Sequence, residues 1–237
     1  MRYSNWRAAA GVRVPFIIFL KSFEEFLYEL MSWLVFYPRT LWRSLRFPLK
    51  MMKRCETDLK LPPSEQFRDV VSPPIFLLLT VIAANGLEMA VVGNNPLIDK
   101  GIGLASLITD NTTLILFELI VAATLPVISG AFALRAMRRP LDRDTLRPLF
   151  YAQCFVTAPV VLLCSMAETL TRLPSPTANI PATILFVVAA IFYIGIEAAW
   201  FDRESKRGIS SGLLWAAASF VFSIGLLGAT LLLFSKD

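Results

Sequence analysis

TLILFELIVAATLPVISGAFAL, the stretch at residues 113–134, contains one charged side chain, Glu118, in 22 residues. An α-helix needs about 20 predominantly apolar residues to cross the hydrocarbon core of a bilayer, so this stretch predicts one membrane span. Four further stretches are similarly apolar, and none of the five contains a lysine or an arginine. These four are 74–92, 149–170, 181–201 and 209–234.

The composition of the whole chain agrees with several spans. Of its 237 residues, 56% are hydrophobic and 17% are charged, whereas a typical soluble domain has roughly 25% charged residues. One soluble core of this size cannot bury so much apolar side chain. We therefore predict an all-α polytopic membrane helix bundle with five transmembrane helices at residues 71–237. A cytoplasmic N-terminal region at residues 1–70, with amphipathic interfacial helices, precedes it.

Lysine and arginine are distributed unevenly between the two sides of this predicted bundle. Twenty of the 23 lie in 1–73, 135–148 and 202–208, and the other three are Lys100, Arg172 and Lys236. Loops on the cytoplasmic side of a membrane carry an excess of these residues. We therefore expect a bacterial inner-membrane protein with a cytoplasmic N-terminus and, after five crossings, an external C-terminus.

The residue types that most catalytic and metal sites require are scarce in this chain. There is no histidine, and the three cysteines, Cys55, Cys154 and Cys164, are too few and too scattered for a metal site. No span contains the pair of aspartates that an intramembrane aspartyl protease would need. The sequence therefore predicts no catalytic residues, no metal, no cofactor and no enzyme activity.

Three glutamates lie near the predicted outer ends of the first three spans: Glu88, Glu118 and Glu168. At 1.5 Å rise per residue, all three lie within roughly 3–8 Å of the outer boundary. Asn85 lies one turn before Glu88 on the same helix face, so it is placed to share the site of Glu88. The spans themselves offer no cation, so three ionised carboxylates at this depth would repel one another. Two interpretations stay open: a convergent acidic site for a cation, a proton or an amine, or three side chains that snorkel separately to interfacial water.

Two other features of the spans have structural interpretations. Glu197 is near the cytoplasmic end of the fourth span, where we expect it to form an ion pair with Arg203 or with an N-terminal arginine. Small residues recur with helical spacing in the fifth span, which is typical of close helix packing; they are Gly212, Ala216, Ser219 and Ser223. This stripe is expected to hold the bundle together or, alternatively, to form a homo-oligomer contact.

Residues 39–53 have the pattern of a basic amphipathic helix. Five cations share one face, with Trp42 on the apolar face; they are Arg39, Arg43, Arg46, Lys50 and Lys53. Such a helix is expected to lie on anionic lipid, with Pro48 kinking or splitting it. The alternative is a solvated basic face packed on the protein's own loops. Nucleic acid is not an expected partner, because the net charge is only +5.

Residues 16–37 are also apolar and aromatic, but they differ from the five spans in charge. This segment contains Lys21, Glu24, Glu25 and Glu29, and each central charge costs about 2.5–3.5 kcal/mol in a membrane span. A sixth span here would also export the N-terminal arginines. We therefore expect this segment to form a helix that lies in or against the membrane surface.

Two short sequences carry a resemblance to a known family. The segment FRDVVSPP at 67–74 leads into the first span, and Tyr151 is followed by Pro159 in the third, with Phe150 in place of a glycine. With the five-span arrangement, residues 65–234 resemble the Yip1-domain family of membrane proteins. The resemblance implies either a permease-like bacterial protein or a non-catalytic adaptor, since eukaryotic relatives are linked to membrane trafficking.

Two functional hypotheses follow, from different classes. In the first, the chain is permease-like and Glu88, Glu118 and Glu168 form an outward-facing site. In the second, the bundle is an anchor and its N-terminal helices recruit anionic lipid or a protein partner. The orientation of the three glutamates, toward one another or toward interfacial water, distinguishes them.

Overall fold

The computed structural model describes the backbone of residues 7–93, 110–173, 176–205 and 208–235, and the side chains of 21–93, 110–173, 177–205 and 208–230. The described segments contain seven α-helices and no strand: α1 (Arg7–Arg46), α2 (Pro48–Asp58), α3 (Pro73–Val92), α4 (Asn111–Ala136), α5 (Arg143–Thr171), α6 (Asn179–Ser205) and α7 (Ile209–Ser235). The all-α prediction is therefore confirmed. Lys100, Lys236, Asp237 and the first six residues lie outside the described residues.

Five of these helices, α3 to α7, are long and apolar enough to cross a membrane, as predicted. α4 and α5 begin before the predicted spans because an aspartate caps each N-terminus. Asp110 and Asp142 accept hydrogen bonds of 2.8 Å from the backbone N–H groups of Thr113 and Thr145. These bonds satisfy N–H groups that the helix itself leaves free, so each helix extends into its polar flank.

α5 is the central helix of the bundle. It packs against α1, α2, α3, α4 and α6. In its most apolar 18-residue stretch 56% is buried inside the protein, whereas the corresponding share in the other four candidate spans is 22–39%. Pro126 in α4 and Pro159 in α5 lie inside continuous helices. Each proline removes one intrahelical hydrogen bond, so both helices have a built-in point of bending.

The N-terminal region forms two helices that divide at Phe47, directly before Pro48. α1 joins the predicted helix at 16–37 to the first part of the basic segment, and α2 contains the rest. In α2, Met51, Met52 and Cys55 are buried in the same core as the bundle. The basic segment is therefore not one continuous lipid-facing helix, because α2 uses its apolar face to pack on α5.

Asp69, which precedes α3, links the two N-terminal helices. Arg43 of α1 donates a 2.8 Å hydrogen bond to it, and Arg54 of α2 binds both of its carboxylate oxygens and also Asp58. Arg54, followed by Arg43, holds the pKa of the Asp69 carboxyl well below its ordinary value. Arg43 thus forms an ion pair within the protein, and the lipid contact predicted for it stays a prediction.

The small-residue stripe of α7 lies inside the bundle, where α7 packs against α6 and α4. Ala216, Ser219 and Ser223 are fully or almost fully buried. Gly212 lies so close to α6 that a Cβ atom built on it would be 2.3 Å from the carbonyl oxygen of Ala198. At this position the backbones of α6 and α7 are in contact, and only glycine fits.

Candidate cation site between α3, α4 and α5

The three predicted glutamates line one cavity, which we call the acidic cavity. Its volume is about 460 Å³, and Glu88 of α3, Glu118 of α4 and Glu168 of α5 all contribute to its wall. Glu88 is buried, Glu118 is half-buried and Glu168 is exposed. The three carboxylates therefore share one site that extends from the interior of the bundle to its surface.

Glu118 is held by a neutral partner. The side-chain amide of Asn85 on α3 donates a 2.9 Å hydrogen bond to Glu118 Oε2, and Asn85 is itself 3% exposed. An amide donor orients the carboxylate without neutralising it. The residue predicted to share a site with Glu88 thus binds the glutamate of the neighbouring helix.

Arg172, the C-cap residue of α5, is the cation that the sequence prediction missed. Its guanidinium donates hydrogen bonds to Glu88 and to Glu168, and its side chain is only 19% exposed. The prediction counted Arg172 as a loop residue and expected no cation near the glutamates. Its position four residues after Glu168 was the available signal, because i,i+4 neighbours lie on one helix face.

The rest of the cavity wall is mainly apolar and comes from all five candidate spans. The largest apolar lining residues are Phe117, Leu125, Phe186 and Leu227, and Cys164 and Ser165 also contribute to the wall. Among the described side chains, no group of three histidine, cysteine, aspartate or glutamate residues is placed to hold a metal ion. An apolar wall with carboxylates at one end suits a ligand that has an apolar body and a positive charge.

Glu197 has a partner that is neither of the two predicted, Arg203 or an N-terminal arginine. It is fully buried in α6, and Gln153 of α5 donates a 3.0 Å hydrogen bond from Nε2 to its Oε2. The described residues contain no ion pair between Glu197 and Arg203. Six residues along an α-helix correspond to a rotation of about 600°, so the two side chains leave the helix on different faces.

The remaining predicted lipid-binding residues form an exposed surface on α1 and α2. Arg39, Trp42, Arg46, Lys50 and Lys53 are all exposed. Phe47, at the break between the two helices, has the cations of Arg46 and Lys50 over its ring, at 5.2 and 4.9 Å from the ring centroid. This basic surface is separate from the acidic cavity.

Comparison of the chain with protein-family models, with curated proteins and with solved structures finds no match.

Proposed function

We propose that this membrane protein is permease-like and binds a small organic cation or amine in the acidic cavity. The observation that carries the proposal is that three carboxylates, from three different helices, line one apolar-walled cavity, and that Arg172 pairs with two of them. Carboxylates within a membrane protein are costly, and they commonly mark a pathway or a binding site. The cavity volume of about 460 Å³ lies within the range of about 300–1,000 Å³ of ligand pockets.

The charge arrangement favours a cationic ligand. Arg172 binds Glu88 and Glu168, whereas Glu118 has the neutral donor Asn85. Among the described residues no cation pairs with Glu118, so its carboxylate attracts a positive charge into the cavity. Glu118, at the edge of the apolar wall, is the anchor that we assign to the positive group of the ligand.

The two helices that carry Glu118 and Glu168 are also those that contain a proline. Pro126 in α4 and Pro159 in α5 lie toward the middle of their helices, away from the carboxylates. Broken or bent helices line the substrate sites of many transporters. In the proposed mechanism, bending of α4 and α5 at these prolines changes the access to the cavity.

The direction of access follows from the charge distribution of the sequence. With the basic loops in the cytoplasm, α1 and α2 lie inside the cell and the acidic cavity opens at the outer face. The proposed protein therefore receives its ligand from outside a bacterial inner membrane. No cofactor and no catalytic step are part of the proposal.

Tetraphenylphosphonium, a permanent cation with an apolar body, is the probe for this site. The purified protein is expected to bind it, and Glu118→Gln is expected to weaken binding on the order of tenfold, which corresponds to about 1.4 kcal/mol. Equilibrium dialysis, corrected for partition into the detergent, measures this affinity. The matched control is Glu24→Gln, because Glu24 is an exposed glutamate of α1.

Tetraphenylborate, an anion of the same shape, separates charge recognition from apolar binding. It is expected to bind at least tenfold more weakly than the cation, because the carboxylates repel it. Equal affinities for the two ions, or equal affinities of Glu118→Gln and wild type for the cation, would contradict the proposal.

A second candidate function is a non-catalytic membrane adaptor of the Yip1-like type. The observation that favours it is the exposed part of α1, where large apolar side chains, among them Phe26, Met31 and Leu34, are exposed. Together with the basic surface of α1 and α2, this segment offers contacts for anionic lipid or a protein partner. In an adaptor the acidic cavity is passive, so loss of the Glu118 charge would leave its function unchanged.

A further inference from the structure

A second buried polar cluster lies between α5 and α6, apart from the acidic cavity. Its centre is the hydrogen bond from Gln153 Nε2 to Glu197 Oε2. Both side chains are 0% exposed. Neither residue lines the acidic cavity, so the function proposed above does not use this pair.

The second carboxylate oxygen of Glu197 and the amide oxygen of Gln153 have no hydrogen-bond partner among the described residues. These two atoms are Glu197 Oε1 and Gln153 Oε1, and both are inaccessible to solvent. As long as Glu197 is ionised, both atoms are acceptors, and neither can satisfy the other. An unsatisfied buried acceptor costs about 1–3 kcal/mol, and more when it is charged.

No cation compensates the Glu197 carboxylate in the part of the chain that the structure describes. Gln153 is its one recorded hydrogen-bond partner, and no charged or titratable side chain of α2, α4, α5 or α7 acts on it. Tyr193, on α6 itself, is the titratable neighbour that interacts with its charge, and the Tyr193 hydroxyl is hydrogen-bonded to Ser129 of α4. An ionised carboxylate in such a setting would be buried without a counter-charge, which proteins avoid.

We propose that Glu197 and Gln153 form a buried proton-binding site. A proton on Glu197 Oε1 turns one of the two orphaned acceptors into a donor, and this donor can bond to Gln153 Oε1. The carboxylic acid and the amide then exchange two hydrogen bonds, one in each direction, and every polar atom of the pair that lacked a partner gains one. The ligand of the site is thus a proton held at the contact between the central helix α5 and α6.

Infrared difference spectroscopy of the full-length protein in lipid nanodiscs tests this proposal. A protonated carboxyl has a C=O stretching band that an ionised carboxylate lacks, and carbon-13 labelling of glutamate shifts it. At neutral pH we expect Glu197→Gln to remove one such band. Glu24→Gln, the matched control, is expected to retain it. Loss of carboxylate bands alone in Glu197→Gln would overturn the proposal.

A second variant addresses the partner of the proton. Gln153→Met removes both hydrogen bonds of the amide but keeps the side-chain length, so the Glu197 acid band is expected to move to higher frequency. An acid spectrum identical to that of wild type would overturn the proposed pairing. If Glu197→Gln does not fold, the comparison of Gln153→Met with wild type still tests the proposal.

Exchange of sodium for choline in the buffer separates a proton from a metal cation. A bound proton leaves the acid band unchanged on this exchange. A band that is absent with sodium and appears with choline would overturn the proposal, because the carboxylate would then hold sodium. Neither result depends on tetraphenylphosphonium binding, so failure here is distinct from failure of the proposed function.

Discussion

Arg172→Gln is expected to lower the free energy of unfolding by about 3 kcal/mol. The substitution removes the guanidinium that binds both Glu88 and Glu168, and the side chain of Glu88 is only 9% exposed. Removing one partner of a buried ion pair is costly because the charge that stays buried loses the hydrogen-bonded group of opposite charge. Denaturant titration of the purified protein in mild detergent, followed by circular dichroism, measures the difference.

Two further variants identify the cause of this loss. Glu168→Gln is expected to change stability by less than about 1 kcal/mol, because the Glu168 side chain is 55% exposed and its pair is largely solvated. Arg172→Gln combined with Glu88→Gln is expected to recover most of the loss, since the buried charge is then removed as well. Wild-type stability in the single Arg172→Gln variant would show that the arginine does not hold the site together.

Gly212→Ala is expected to destabilise the bundle by about 2 kcal/mol. The new methyl group would lie 2.3 Å from the Ala198 carbonyl oxygen and 3.0 Å from the Asp202 backbone nitrogen. Because both contacts are with backbone atoms of α6, α6 and α7 must move apart to accept the methyl group. Thermal unfolding in detergent, followed by circular dichroism, measures this change.

Gly225→Ala is the matched control for this packing contact. It is in the same helix, and a Cβ atom at this position meets nothing within 4 Å. Both substitutions gain the helix propensity of alanine, about 1 kcal/mol over glycine in a soluble helix, so the difference between them isolates the clash. Equal stabilities of the two variants would show that α6 and α7 are not in backbone contact at Gly212.

The positions of the spans could be predicted because they depend on length and apolarity, which are local properties. The ends of α4 and α5 were less predictable, since Asp110 and Asp142 lie in polar sequence that resembles a loop. Once an aspartate caps the first turn, a helix gains from extending to it. The capped helices therefore extend beyond the stretches that hydropathy marks.

The grouping of the three glutamates in the acidic cavity could be predicted from their similar distance to the outer ends of the spans. Glu88, Glu118 and Glu168 share one level in the bundle, and they line one cavity. The role of Arg172 was missed because it follows the last apolar residues and was counted with the loops. A long arginine side chain at a helix end can reach back toward the span. A hydropathy profile contains no information on the direction of a side chain, so it does not predict this contact.

Contacts between residues that are distant in sequence account for the other differences between the prediction and the structure. Gln153 and Glu197 are 44 residues apart, and Arg43 and Asp69 are 26 apart. Helical periodicity places each of these side chains on a face of its own helix, but it does not identify the facing helix. Glu197 was therefore assigned to Arg203 or to an N-terminal arginine, and the ion pair of Arg43 with Asp69 was not predicted.

Chemical modification of Cys164 tests the acidic cavity most directly. Cys164 lines the cavity and is half-buried, whereas Cys55 and Cys154 are buried. In proteoliposomes carrying Cys55→Ala and Cys154→Ala, a trimethylammonium methanethiosulfonate is expected to modify Cys164 about tenfold faster than the sulfonate reagent. This ratio, corrected for the reagents' rates with a small thiol, corresponds to about 1.4 kcal/mol.

The cationic reagent is expected to act from the external side, and tetraphenylphosphonium is expected to slow it. Glu118→Gln is expected to reduce the preference for the cation, because it removes one carboxylate from the cavity wall. Equal modification rates for the two reagents, with or without the Glu118 carboxylate, would contradict an outward-facing cation site.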